Sequence, residues 1–204
     1  MSRGGFVRQA VEDAARATFV ERGFEGTSVD EIARRAGVSK PTIYAHFGGK
    51  SELFVHILES YCARLLTPIL DSAADDRTLE EVLRDFARGY TSIVLDREVV
   101  ALHRLFVSEA QRFPELGRRY YDAGPQSVHD ELARFFNRRI ALGELREVDP
   151  QRLAEQFSGL LLTPIRLKML FAVIDESDSE TVGLYCETAI DLFLSGVSRS
   201  RRRG

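Results

Sequence analysis

The 204-residue chain predicts an all-α protein, and three observations lead there. Apolar residues recur at helical spacing along nearly the whole length. No stretch alternates convincingly with the period of two that a half-buried strand needs. The breaks between helical runs fall at glycine, proline or capping residues. A hydrophobic content of 44% supports a packed core, and 29% charged residues indicate a soluble chain. No apolar run approaches the roughly 18 residues of a membrane span, and the opening MSRGGF lacks a signal-peptide core. A cytoplasmic protein is the expectation, with one small module and a larger companion domain.

Local signals define each element in turn. Val7, Val11, Ala14, Ala15, Thr18 and Phe19 predict a first helix over residues 7–22 that ends at Arg22–Gly23, with Phe24 plugging a small core. Ser28 and Glu31 form the pattern S-x-x-E, in which the hydroxyl accepts from an exposed amide and the carboxylate reaches back. Ile32, Ala33 and Ala36 give a short helix one narrow apolar face. Gly37 stops it, because glycine tolerates the left-handed backbone of a sharp turn. Val38 turns inward, Ser39 caps a second short helix, and Pro41 fits its first turn. Ile43 and Phe47, four apart, bury one face and leave Lys40, Thr42, Tyr44 and His46 outside. The three helices make a helix-turn-helix module over residues 1–50, too small to be stable unless it packs on the remainder of the chain. A polar residue would cap the next helix better than Gly48–Gly49 does.

A fourth helix is expected from Lys50 to about Leu66, stopped or bent by Pro68, with no flexible linker between the module and the remainder. A loop over 71–78 precedes helices over Leu79–Leu95 and Val99–Ala110. Pro114 starts another helix, which Gly124–Pro125 interrupts; it resumes through Val128 and Ile140 and stops at Gly143. Asp149–Pro150 opens the next, which Pro164 is expected to kink, and the last covers about Ser179–Val197. Residues 51–198 thus form an α-helical second domain, and the basic tail 199–204 is expected to fray. The last two helices are too apolar for a single buried face, which points to an interface.

From Val38 to Lys50 the chain has no acid, while Lys40, Thr42, Tyr44, His46 and Lys50 offer donors, cations and an aromatic hydroxyl. Such a face suits phosphates and base edges in a major groove. The overall net charge is −3, but residues 1–50 carry eight Lys/Arg against six Asp/Glu, and the rest twenty against twenty-five. The basic half coincides with the motif. Cys62 and Cys186 stand without a partner at metal or redox spacing, and His46, His56, His103 and His129 are scattered. No metal site and no cofactor are expected.

The stretch AARATFVERGFEGTSVDEIARRAGVSKPTIYAHFGGKSELF resembles the DNA-binding domain of the tetracycline-repressor (TetR) family of bacterial transcription regulators. The resemblance covers about the first quarter of the chain. It implies a helical ligand-binding and dimerisation domain for the rest, no catalysis, and a homodimer joined through its two C-terminal helices. It also implies a repressor that a small-molecule ligand of unknown identity releases from a palindromic operator in double-stranded DNA. The expected DNA contacts are Lys40, Thr42, Tyr44 and His46, with Ser39 and Pro41 at the start of the recognition helix and Ser28 at the supporting one. Thr27 and Lys50 are expected to hold phosphates from either side, and Asp30 and Arg34 to lie within reach of bases or backbone. Ligand contacts are expected among Phe86, Tyr90, His103, Phe106, Tyr121 and Phe157, where ordinary core packing competes for most of them. Arg166, embedded in LLLTPIRLKML, fits either an anionic ligand group or an ion pair across the interface, and the ion pair is favoured. Two rivals remain: a DNA-bound adaptor that recruits a protein without a small-molecule effector, and an enzyme built around His103 and Glu109.

Overall fold

The computed structural model describes residues 3–57, 59–60 and 77–198. Its helices are α1 (Arg3–Gly26), α2 (Val29–Ala36), α3 (Lys40–Phe47) and α4 (residues 50–57 and 59–60). After them come α5 (Leu79–Val94), α6 (Arg97–Glu109), α7 (Pro114–Tyr121), α8 (Ser127–Ala141), α9 (Pro150–Leu170) and α10 (Ser179–Val197). The only extended pairing among the described residues is one isolated bridge between Leu145 and Ser198. The expected end of the fourth helix at Leu66–Pro68, the loop before Thr78 and the tail 199–204 lie wholly or mainly outside the described residues.

The chain packs as two units that depart from chain order. The first comprises the residues up to 60 together with 98–124, and the second comprises 77–97 with 125–198. In the first, α1 contributes Val11, Ala14, Ala15 and Phe19 from one helical face. Gly23 (φ 73, ψ 173) breaks α1 and throws Phe24 into the core, as the sequence implies. Phe54 of α4 is 1% exposed and meets three rings: Phe19 at 4.5 Å, Phe24 at 5.1 Å and Phe106 of α6 at 3.9 Å between centroids. Leu102, Phe106 and Leu116 belong to this same core, so α6 and α7 complete what three short helices could not bury alone. Arg112 bonds Glu25 in a bidentate pair at 2.6 and 2.9 Å, a link from the α6–α7 turn to the last turn of α1.

The second unit is built from α5, α8, α9 and α10 around Phe86, Phe135, Phe136, Phe157 and Phe193. Thr78 and Glu81 form a complete capping box at the start of α5. Asp149 accepts from the Gln151 amide at 2.9 Å with Pro150 in the first turn, as the sequence predicts for α9. At Gly124–Pro125 the backbone does not break; it widens into a π-type turn over Asp122–Gln126 and continues into α8. A π-type turn closes its hydrogen bonds over five residues instead of four, so the local helical winding is widened and not ended. α9 likewise stays helical through Pro164.

His129 of α8 has its Nδ1 buried without a hydrogen-bond partner. Burial pushes this imidazole below its ordinary value of 6.5, against an opposing pull from Glu155 and Asp130. A depressed folded-state value means that the unfolded chain binds more protons in the window just below 6.5. The stability carried by neutral His129 is therefore present above that window and lost as pH falls through it. The melting temperature should drop between pH 7 and pH 5 by more in the wild type than in His129→Gln, and parallel curves would refute this.

Candidate nucleic-acid interface

The Ser28 hydroxyl caps α2 by accepting from the Glu31 amide at 3.2 Å. The second half of the expected capping box is absent: the Glu31 carboxylate instead accepts from Arg34 at 2.5 and 3.3 Å and pairs with Arg22 at 3.7 Å. Three nearby guanidiniums, the hydrogen-bonded Arg34 foremost, hold that carboxyl below its usual range. Gly37 closes α2 in the left-handed region (φ 67, ψ 31), and the Val38 amide reaches back to the Ala33 carbonyl at 3.0 Å. The Ser39 hydroxyl accepts from the Thr42 amide at 3.3 Å and shares a 2.7 Å bond with its hydroxyl, and Pro41 fits the first turn of α3. Gly48 (φ 86, ψ −26) ends α3, donating to the Tyr44 carbonyl at 2.9 Å. The sequence pattern marks Gly48 as a weak cap for the next helix; its left-handed backbone makes it instead the required stop of this one.

Inside, α3 is held by Ile43 and Phe47, both buried. Outside lie Lys40, Pro41, Tyr44 and His46, with Tyr44 48% exposed and Thr42 half-buried beside them. Lys40 pairs with Asp30 of α2 at 2.8 Å, and that hydrogen bond raises its already high pKa. Arg34 is exposed on the same helix as Asp30. The structure thus gathers Ser28, Asp30, Arg34, Ser39, Lys40, Pro41, Thr42, Tyr44 and His46 on two short, rigidly capped helices.

Thr27 and Lys50 depart from the expectation of two phosphate clamps. Thr27 is 2% exposed, and its hydroxyl donates to the carbonyls of Gly23 (2.7 Å) and Thr18 (3.3 Å). The Lys50 ammonium turns inward to the carbonyls of Phe24 (2.8 Å) and Thr27 (2.9 Å) and sits 4.4 Å from the Phe24 ring centroid. Partial burial lowers its pKa against the pull of Glu25 and Glu109. The sequence does carry a signal for this: carbonyls left over where Gly23 breaks α1 need donors, and a lysine and a threonine are nearby.

Two family profiles match the chain. One described as bacterial regulatory proteins of the tetR family covers residues 12–57. The other, described as the C-terminal domain of AefR-like transcriptional repressors, covers residues 81–196, more than half of the chain. The chain belongs to the TetR family. Among similar regulators, the HTH-type transcriptional repressor BdcR of Escherichia coli (strain K12) is 30% identical over 133 residues, spanning 63% of this chain and 67% of that protein. A TetR-family structure from Mesorhizobium loti MAFF303099 superposes with a TM-score of 0.79 at 27% identity, covering 98% of this chain and all of that one. The structure of the flavonoid-responsive regulator FrrA gives a TM-score of 0.74 at 34% identity, covering 96% of this chain and 99% of that one. This TetR-family chain is therefore a transcriptional regulator with a helix-turn-helix DNA-binding domain; its family and relatives are regulators rather than enzymes.

In this TetR-family regulator the seven ligand candidates fall into both packing units. Phe86, Tyr90 and Phe157 are buried in the second, where Phe86 stacks on Tyr90 at 5.1 Å and Phe157 packs on Phe193 at 4.7 Å. Phe106 lies in the first unit's core against Phe54 and Tyr120, and His103 Nδ1 bonds the Tyr120 hydroxyl at 2.7 Å. Tyr121 is 49% exposed, and Arg166 is half-buried on α9. Cys186 is buried and reduced, 3.9 Å from the Thr91 hydroxyl. Among the described residues no cluster of His, Cys, Asp or Glu could hold a metal, and no helix is long and apolar enough to cross a membrane.

The regulator also shows an apolar face on its last two helices. Leu160, Leu167 and Phe171 are exposed on and just after α9, and Leu184 and Leu192 are exposed on α10, at 74% and 62% for the latter pair. A groove of about 830 Å³ runs between the two helices, lined by Leu160, Thr163, Pro164, Leu184, Tyr185 and Leu192 among others.

Proposed function

We propose that this cytoplasmic regulator is a homodimeric repressor whose two α3 helices read a palindromic operator. Half-sites would lie about one helical turn, roughly 34–36 Å, apart. The observation that carries the reading is the outward face of α3, where Lys40, Thr42, Tyr44 and His46 stand together on a helix capped at both ends. Ser39 and Pro41 bring the start of α3 toward bases, Ser28 marks the start of α2, and Arg34 reaches phosphates. Asp30 releases Lys40 to the DNA as the ion pair is exchanged for a phosphate. The apolar α9–α10 face supports pairing with a second copy in a four-helix arrangement.

A small-molecule ligand relieves repression by binding the DNA-free conformation more tightly than the DNA-bound one. FrrA, a flavonoid-responsive regulator, supports the ligand-responsive part. Binding of the purified protein to its own upstream intergenic DNA, against a scrambled duplex at two salt concentrations, tests the reading. The native duplex should be preferred, with affinity falling steeply as salt rises. Tyr44→Ala should weaken that binding about 10- to 100-fold, the scale of one or two well-placed contacts in each half-site. Equal binding to native and scrambled duplexes would remove the sequence-reading role.

A further inference from the structure

We propose that Asp30 is a specificity-determining residue that works by exclusion. It holds Lys40 in an ion pair within the chain and yields it only to a duplex that places an amino donor against the Asp30 carboxylate. The inference rests on the DNA-binding reading above and goes beyond it by saying what keeps the protein off other DNA. Non-specific binding to DNA is almost wholly electrostatic, because cations that reach phosphates release condensed counterions. The helix-turn-helix is poorly supplied for that. Residues 21–48 carry four Lys/Arg (Arg22, Arg34, Arg35, Lys40) and four Asp/Glu (Glu21, Glu25, Asp30, Glu31), a formal net charge of zero.

The structure sets these charges against one another. Arg35 bonds Glu21 in a bidentate pair at 2.7 and 2.8 Å, and Glu31 takes both Arg34, at 2.5 and 3.3 Å, and Arg22, at 3.7 Å. The Lys40 ammonium donates to the Asp30 carboxylate at 2.8 Å. That last pair differs in its place, because it joins the first turn of α2 to the first residue of α3. Both its side chains stay open to solvent, at 68% for Asp30 and 46% for Lys40. Exposed ion pairs separate at little cost. What discriminates is the carboxylate left facing the groove. An ionised carboxylate only accepts hydrogen bonds. Along the major groove, guanine N7 and O6, adenine N7 and thymine O4 are acceptors as well; donors are confined to the cytosine N4 and adenine N6 amino groups. A duplex with an amino group at that position satisfies Asp30 and frees Lys40 for a phosphate. Any other duplex meets an uncompensated negative charge beside its own.

The test measures binding of wild type, Asp30→Asn, Lys40→Gln, the double variant and Glu115→Gln to the upstream duplex and to its scrambled counterpart over a range of salt. Circular dichroism checks that each is folded, and the exposure of Asp30 makes that the expected result. Asparagine keeps the size and an accepting oxygen but removes the charge. Asp30→Asn should bind the scrambled duplex about tenfold more tightly, the scale of one discriminating contact in each half-site. It should bind the native duplex no more tightly than the wild type, so the native-to-scrambled ratio falls about tenfold. On scrambled DNA its slope of log affinity against log salt should steepen by about 0.9 for each phosphate that Lys40 now reaches. Made on the Lys40→Gln background, the same change should raise scrambled binding about twofold or less, because the two residues act as a pair. Glu115→Gln, which removes an equal charge from α7, should leave the ratio unchanged. A wild type that discriminates while Asp30→Asn keeps its ratio would overturn the proposal and leave the DNA-binding reading standing. So would a full gain on scrambled DNA that survives Lys40→Gln, or one that Glu115→Gln reproduces. A folded wild type that binds neither duplex, or both alike, would overturn the DNA-binding reading and this proposal with it.

Discussion

Phe54→Ala should destabilise the protein by about 3–5 kcal/mol, the range for deleting a fully buried ring that leaves a cavity behind. Phe54 is the ring on which α1, α4 and α6 converge, with centroids of Phe19, Phe24 and Phe106 between 3.9 and 5.1 Å away. Close-packed interiors relax little into a void of that size, so the lost contacts are not regained elsewhere. Aromatic pairs add about 0.5–1.5 kcal/mol beyond burial, which places this site toward the upper part of the range. Urea unfolding monitored by circular dichroism measures the loss. Because α2 and α3 rest on the same core, operator binding should fall at 37 °C and recover on cooling. A loss below about 1 kcal/mol would mean that the ring cluster is not what holds this unit together.

The second large effect concerns the apolar face. Leu184→Asp with Leu192→Asp puts two charges on the exposed side of α10, where both leucines line the groove against α9. Burying an unpaired carboxylate at an interface costs more than association can recover, so the double variant should sediment as a monomer at micromolar concentration. Operator affinity should fall by about 100-fold or more, because the second half-site is no longer delivered at high effective concentration. Each leucine is solvent-exposed within one chain, so the monomer's own melting temperature should change little. An unchanged dimer mass would show that this face is not where the copies meet. A wild-type monomer would instead favour a different protein on the groove, as the adaptor reading requires.

Much of the first unit was legible because its signals are local. Ser28, Gly37, Ser39 and Pro41 each act on backbone within a few residues, and each does what its chemistry implies. The start of α9 was legible for the same reason, through Asp149 and Pro150, whereas α5 and α10 were bounded by apolar periodicity and the structure adds their caps, Thr78 and Asp178. On α3 the sequence showed which side chains face inward, Ile43 and Phe47, and which face out, Lys40, Tyr44 and His46. The rest depended on where distant segments meet. Nothing near Leu102, Phe106 or Leu116 says that they finish a core begun at Val11. Periodicity gives the face a helix buries, not the partner it buries it against. Lys50 and Thr27 show the same limit at the scale of one side chain. The carbonyls of Phe24 and Thr27 that the Lys50 ammonium meets lie more than twenty residues before it, where no local pattern points to them.

The two left-handed glycines flanking α3 have a practical consequence. Gly37 and Gly48 set the path of the chain into and out of an eight-residue helix whose buried side chains are Ile43 and Phe47. The segment is therefore an exchangeable cartridge. If α3 reads the operator as proposed, randomising positions 42, 44, 45 and 46, with the serine cap, proline and two apolar anchors retained, should yield variants that select new promoters as genetic-circuit components.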